Sequence, residues 1–430
     1  MNTISSVPVT ADVVVIGGGL MGRAAAWRLA SAGLDAVVVA GEPQAAASNV
    51  AAGMLAPVTE TTFTEELLLG LNLASMERYP SFAAEVSEAS GLPSGFRSGP
   101  TISIAYNADD AARMAQLADY LTRLGLESTR LTSREARRLE PLLAPTIRGG
   151  LLVPGDASCD NRQLLIALSE AGARSGVRTL TGFVHHVSST ADRVTGVVLA
   201  DGSEISAPTV VVANGAWAGQ LTGIPTIPVR PVKGQILRLD PGRFPQPGLV
   251  VRAFTRGTEI YLVPRDSGRE LVVGATSEEL GFDHRVTAGG VYELLRDARL
   301  AIPMSTEYVL AETSVGYRPG TPDNAPILGR GALDGLVLAT GHHRNGVLLT
   351  PITGEVVAEL ILHDRLLPVA EPFGPERFGP ERFGQKGLGS ERFGPKGLGP
   401  KGLGSERFGR PMSDDRATPE RADNDRGVRT

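Results

Sequence analysis

The chain has 430 residues, 42% of them hydrophobic, enough for two or three domains or one large interleaved body around a substantial core. A net charge of −5 with no basic cluster leaves a nucleic-acid backbone without electrostatic support. The single cysteine, Cys159, excludes an intrachain disulfide and any multi-thiolate metal site, which suits a reducing compartment. The leader MNTISSVPVTA carries no basic stretch before an apolar run, and nothing later is apolar over the length of a membrane span, so a cytoplasmic protein is expected. Hydrophobic periodicity then predicts, in chain order, a strand at 12–17, a helix at 20–32, a strand at 35–40 and helices at 64–90, 108–125 and 160–175. Strands at 194–200, 208–213, 259–264 and 270–275, a helix at 287–301, a strand at 335–340 and a helix at 346–362 follow. From Gly374 to Gly409 a glycine returns every fifth residue, in units such as GPERF and GQKGL. That spacing supports neither a helical stripe nor strand alternation, so residues 371–430 are expected to be a disordered tail.

Gly17, Gly19 and Gly22 form G-x-G-x-x-G between the first strand and the first helix. In such a turn the first glycine permits the bend, the second admits a pyrophosphate and the third lets helix and strand pack closely. The diphosphate then faces the amides and positive dipole at the start of the helix near Leu20. Alone the motif is weak, but strand, turn, helix, Gly33 and second strand are all in register. The second strand ends in Ala40 and Gly41, where such units carry an acid for the adenosine ribose; Glu42 stands two residues beyond Ala40.

Two further segments bear on the other end of the ligand. ASNVAAGMLAP, residues 47–57, is rich in small residues, as a loop laid along a cofactor must be. GHHRNGVLLTPITGEVVAELIL, residues 341–362, is a glycine-bounded loop opening into a helix whose first amides would favour negative charge on a reduced isoalloxazine. Together they point to FAD rather than NAD. The adjacent pairs His185–His186 and His342–His343 have no metal-ligand spacing, and no metal is expected.

Over residues 10–365 the chain resembles the D-amino-acid oxidase and sarcosine oxidase superfamily, and within it the glycine oxidases of the thiamine-biosynthesis type. The resemblance is carried by VVVIGGGLMG at 13–22, AAGMLAP at 51–57, VPGDASCDNRQLL at 153–165, VVANGAWA at 211–218 and PVKGQIL at 231–237. YLVPRDSGRELVVGAT at 261–276, GYRPGTPDNAPILG at 316–329 and GHHRNGVLLTPITG at 341–354 complete it. It implies an α/β fold in which a discontinuous Rossmann-like FAD-binding domain (10–90, 151–225, 315–368) interleaves with a mixed or antiparallel-sheet substrate domain (91–150, 226–314). FAD contacts are implied at Leu20, Met21, Ala47, Ser48, Ala52, Gly53, Met54, at Val184 beside the adenine, and along His342, His343, Arg344, Asn345, Gly346, Val347 and Leu348. Arg318 matches a substrate-carboxylate arginine, Arg344 a second substrate-side arginine and Tyr261 a carboxylate-binding tyrosine. With no cysteine near the late motif, the flavin is expected to be noncovalent.

The implied activity is oxidation of glycine and other small amino acids to the imine and glyoxylate, releasing ammonia and, with oxygen as acceptor, hydrogen peroxide, in step with thiazole synthesis for thiamine. No side-chain catalytic base is expected, because a neutral amine's lone pair drives hydride loss once the α-carbon is held in place. Sarcosine or D-amino-acid oxidation is the alternative within the class. A flavin-bound interaction protein acting through its repetitive tail is the rival outside it. The residues leave homo-oligomerisation open.

Overall fold

The run VVVI at Val13–Ile16 is buried throughout and forms the centre of a six-stranded sheet in a computed structural model that describes residues 9–41, 45–63, 65–265 and 269–379. Strands run in the order Arg178–Thr181, Ala36–Ala40, Val13–Ile16, Thr209–Val212, Leu336–Thr340, Ile327–Arg330; the first five are parallel and the last is antiparallel. Continuous β-branched strands are what a parallel sheet covered on both faces requires. The period of two assigns the faces: Val13 and Val15 join Leu29, Ile352 and Val356 under the helices Leu20–Ser31 and Thr350–His363. Val14 and Ile16 instead meet Val187, Val197 and Ile205 of a four-stranded sheet on the other side.

A second, eight-stranded sheet is antiparallel apart from the pairing of Val250–Thr255 with Thr101–Ala105. Ile260 and Leu262 of the strand Thr258–Arg265 pack with Leu294 and Ala298 of the helix Ala288–Ala301. Their neighbours Tyr261 and Val263 point the opposite way, toward Val50 and Ala52. The alternation that buries one face therefore aims Tyr261 at the loop that follows the second parallel strand.

Two long strands of this sheet, Arg230–Asp240 and Val309–Gly320, are absent from the individual strands expected. Their polar residues hid them. Lys233 and Arg238 are buried because carboxylates meet them: Lys233 lies 3.1 Å from Asp283 and 3.4 Å from Glu278, and Arg238 pairs with Glu270. The late helix begins at Thr350, four residues after the expected 346, because 342–349 are occupied by successive turns closed by Asn345 N–H to His342 O and Leu349 N–H to Asn345 O.

The expected tail also begins too early. Residues Pro368–Phe373 and Pro375–Phe378 form short 3-10 turns, and Phe373 is 3% exposed in the helix-side core. Arg377 secures them, donating to Asp323 and to the carbonyls of Ala325 and Pro326. An isolated phenylalanine cannot make a core, but it can complete one that already exists. The remaining pentads and Glu42 lie outside the described residues. Among the described residues no helix is long and apolar enough to cross a membrane.

Candidate active site

The glycine turn is built as tightly as its spacing predicts. Gly17 has φ +114°, and a Cβ there would lie 2.6 Å from the Ala213 carbonyl oxygen. A Cβ on Gly22 would lie 1.9 Å from the Gly17 carbonyl, so Gly22 serves helix-to-strand packing. It does not line the cavity, whereas Gly17, Gly19, Leu20 and Met21 do. The cavity, about 1010 Å³, runs from this turn to the eight-stranded sheet. It stands at the upper end of small-ligand sites, as a dinucleotide with a substrate beside it requires.

Ala47, Ser48, Ala52, Gly53 and Met54 form one wall. Ser48 Oγ accepts from Leu20 N–H at 3.1 Å, tying the loop to the first helix. Gly53 has φ +69°, and a Cβ would lie 1.9 Å from the Cys159 carbonyl. Arg265, buried, pins this wall: its guanidinium donates to the carbonyls of Cys159 at 2.9 Å and Ala52, and to Asn161 Oδ1 at 3.1 Å. Asn161 in turn donates to the Ser48 carbonyl at 2.7 Å. Burial pushes the Cys159 thiol up to about 12, and the side chain lies outside the cavity lining, so the lone cysteine offers no attachment point.

Ala40, Gly41 and Val184 line the end of the cavity beside the second parallel strand. Two neighbours went unnoticed in the sequence. Phe183, 55% exposed, lays its ring over Gly41, where a Cβ would come within 2.4 Å of it. Arg23 also lines this end; its Nε donates to the Gly18 carbonyl at 2.8 Å, and it has no ion pair among the described residues.

The late loop closes the opposite side. His342, His343, Arg344, Gly346 and Val347 line the cavity; Asn345 and Leu348 do not, because Asn345 closes the turn and Leu348 is buried among Leu20, Tyr79 and Leu164. Gly346 and Val347 line the cavity, and their amides make no backbone hydrogen bond among the described residues. His342 donates to or accepts from Thr353 at 2.9 Å, and burial lowers its pKa to about 3. His343 is lowered to about 4 by burial, then by the nearby guanidinia of Arg318, Arg344 and Arg230. Both rings are therefore neutral at physiological pH.

Arg318 and Tyr261 meet where the eight-stranded sheet faces this loop. Arg318 stands opposite Val232 and crosses the next strand at Gly234, where a Cβ would lie 2.6 Å from its Nη1. Tyr261 stands opposite Gly274, where a Cβ would lie 2.4 Å from the ring. These two glycines clear the space in which a guanidinium and a phenol converge. Arg318 donates to the Thr276 carbonyl at 3.1 Å and makes no ion pair among the described residues. Burial raises the Tyr261 pKa, against the opposing pull of Arg318, and keeps its hydroxyl a donor.

Arg344 differs from the expectation in one respect: it is already paired, its Nη2 donating to Glu60 at 2.9 Å. Glu60 was not anticipated, since nothing in ETTFTEE marks one acid among several. Two buried atoms of cavity-lining residues, Asn214 Oδ1 and His343 Nδ1, have no partner among the described residues. Orphaned polar atoms of this kind are rare in native interiors and fit a polar ligand. With the glycine cradle and free loop amides, they match a flavin dinucleotide.

A dinucleotide groove that opens onto Arg318, which has no ion pair among the described residues, is the build of a flavin-dependent redox enzyme. Residues 12–360 match the FAD dependent oxidoreductase family, to which the chain belongs. It is similar to the bifunctional protein ThiO/ThiG of Synechocystis sp. (strain ATCC 27184 / PCC 6803 / Kazusa), 36% identical over 86% of this chain and 54% of that protein. The chain thus spans about half the length of that relative. The glycine oxidase of Geobacillus kaustophilus (strain HTA426) is 34% identical over 81% of this chain and 92% of its own length. The crystal structure of glycine oxidase from Geobacillus kaustophilus superposes with a TM-score of 0.79 at 32% identity, covering 86% of this chain and 99% of that one.

Proposed function

We propose that this FAD-dependent enzyme oxidises glycine and other small amino acids. The observation that carries the reading is Arg318, which lines the cavity beside Tyr261 with no carboxylate partner among the described residues. A planar guanidinium takes a substrate carboxylate through two parallel hydrogen bonds, and the Tyr261 hydroxyl adds a third donor. Held at that end, the α-carbon is fixed for hydride loss, which requires an approach of about 3–3.5 Å to the acceptor atom. Bound FAD supplies the two-electron acceptor. The glycine turn, the wall at 47–54 and the loop at 342–347 would hold it, noncovalently. The substrate loses a hydride from carbon and a proton from nitrogen to give an imine, which water converts to glyoxylate and ammonia. Molecular oxygen, taking up the two electrons and two protons, leaves as hydrogen peroxide.

The relative named bifunctional ThiO/ThiG suggests the setting. This chain matches about half of that protein, and thiazole-synthesis machinery in the cytoplasm would take up the imine for thiamine. An idle, purely scaffolding pocket is disfavoured because an unpaired, half-buried guanidinium is costly to retain without a ligand.

The test is a peroxide-coupled screen of the FAD-loaded protein over glycine, sarcosine and D-alanine. Turnover of glycine is expected; preference for sarcosine or D-alanine would move the assignment to those amines, and no peroxide from any of them refutes it. Arg318→Leu removes two charge-assisted hydrogen bonds and is expected to lower kcat/KM by about 100- to 1000-fold, mostly through KM.

A further inference from the structure

The substrate end of the cavity has a defined charge arrangement. Four guanidinia line it, those of Arg113, Arg252, Arg318 and Arg344, together with two carboxylates, Glu60 and Glu259. Glu259 is shared by Arg113 and Arg252, the latter at 2.6 Å. Glu60 takes Arg344 at 2.9 Å. Arg318 has no carboxylate partner among the described residues, so these residues offer one free guanidinium to one substrate carboxylate.

Glu60 is held in this position rather than resting there by chance. Its backbone amide donates to Ala56 O at 3.2 Å. The preceding Thr59 is fixed from both sides, its hydroxyl donating to buried Asp156 at 2.5 Å and its carbonyl accepting from Arg252. The Glu60 side chain is 11% exposed. Burial by itself would push its carboxyl up, but Arg344, Arg252 and Arg318 outweigh it and hold the group below the usual range, so it is ionised at neutral pH. Among the described residues its Oε1 accepts the Arg344 bond and its Oε2 accepts none, which leaves an anionic oxygen in the cavity.

Building on the proposed amino-acid oxidation, we infer that Glu60 determines specificity: by neutralising Arg344 and presenting a negative charge near Arg318, it restricts the site to amino acids with one carboxylate. A second carboxylate on the substrate would meet Glu60 instead of a free arginine. Selectivity of this kind rests on a repulsive element as much as on an attractive one. Removing the Glu60 charge would convert Arg344 into a second anion-binding arginine, adding a site for amino dicarboxylates.

The experiment compares wild type, Glu60→Gln and Glu60→Asp, each loaded with FAD. Binding of unreactive malonate and acetate is read from perturbation of the flavin absorbance, and kcat/KM is measured for glycine, D-aspartate and iminodiacetate. Glu60→Gln is expected to raise the preference for malonate over acetate by about tenfold or more, as losing a nearby like charge should. The ratio of D-aspartate or iminodiacetate turnover to glycine turnover should rise in parallel. Glu60→Asp, which keeps the charge, should stay near wild type. An unchanged malonate-to-acetate ratio in Glu60→Gln overturns the inference. Should Glu60→Gln fail to bind FAD, Arg344→Gln supplies the opposite test: leaving Glu60 unpaired, it must lower the malonate preference below wild type, and no change there also overturns the inference. Because the binding ratio is read without turnover, it stands apart from the proposed activity, which fails separately if no amino acid is oxidised.

Discussion

Replacing Arg265 with methionine keeps an unbranched apolar stem but removes the three hydrogen bonds by which the eight-stranded sheet holds the wall at 47–54. Those bonds run to Cys159 O, Ala52 O and Asn161 Oδ1, and Asn161 in turn supports Ser48. Each charge-assisted bond contributes about 1.5–3 kcal/mol. Opposing that, Arg265 is 4% exposed, burial lowers its pKa, and its Nε has no partner among the described residues, so its removal also relieves a desolvation cost. Breaking a buried charged network while stranding two carbonyls typically costs about 3–5 kcal/mol, and the unpartnered Nε places this case near the lower figure. The loss should appear as a lower urea midpoint for the apoprotein. Because Ala52 and Gly53 line the cavity, the FAD dissociation constant should rise about tenfold or more, the equivalent of roughly 1.4 kcal/mol. Flavin fluorescence during titration of the apoprotein reads it directly. A stability change under about 1 kcal/mol together with an FAD dissociation constant within about twofold of wild type would refute the assignment of Arg265 as the clamp on this wall.

Two further outcomes follow from the ends of the described chain and of the cofactor site. Ala40→Glu restores an acceptor to the adenosine end next to Arg23, and one hydrogen bond to a charged group, about 1.5 kcal/mol, should tighten FAD binding roughly tenfold in the same titration; equal or weaker binding by a folded variant would show that the ribose is already satisfied. Truncation after Gly379 should leave glycine turnover near wild type, whereas truncation after Leu367 exposes the pocket of Phe373, removes the Arg377 contacts and should cost about 3–5 kcal/mol of stability by urea denaturation. Loss of turnover on truncation after Gly379 would show that the oxidase itself needs the residues beyond it.

What the sequence determined by itself was what short-range chemistry dictates. The strand, glycine turn and helix from Val13 to Ser31 depend on neighbours within about thirty residues, so their apolar runs and glycine spacing are legible directly. Arg318 and Tyr261 were legible through their motifs, while the reason they can meet, the bare Gly234 and Gly274 beneath them, emerges only when four strands are laid side by side. The tail was misjudged at its start because Phe373 and Arg377 take their meaning from a core and from Asp323, which lie far away in sequence. Arg265 reaches Ala52 across 213 residues and Arg344 reaches Glu60 across 284. No local pattern distinguishes such residues from surface charges. Partners so distant in the chain are chosen by packing, which decides which charges are buried, which are neutralised, and that Arg318 has no ion pair among the described residues.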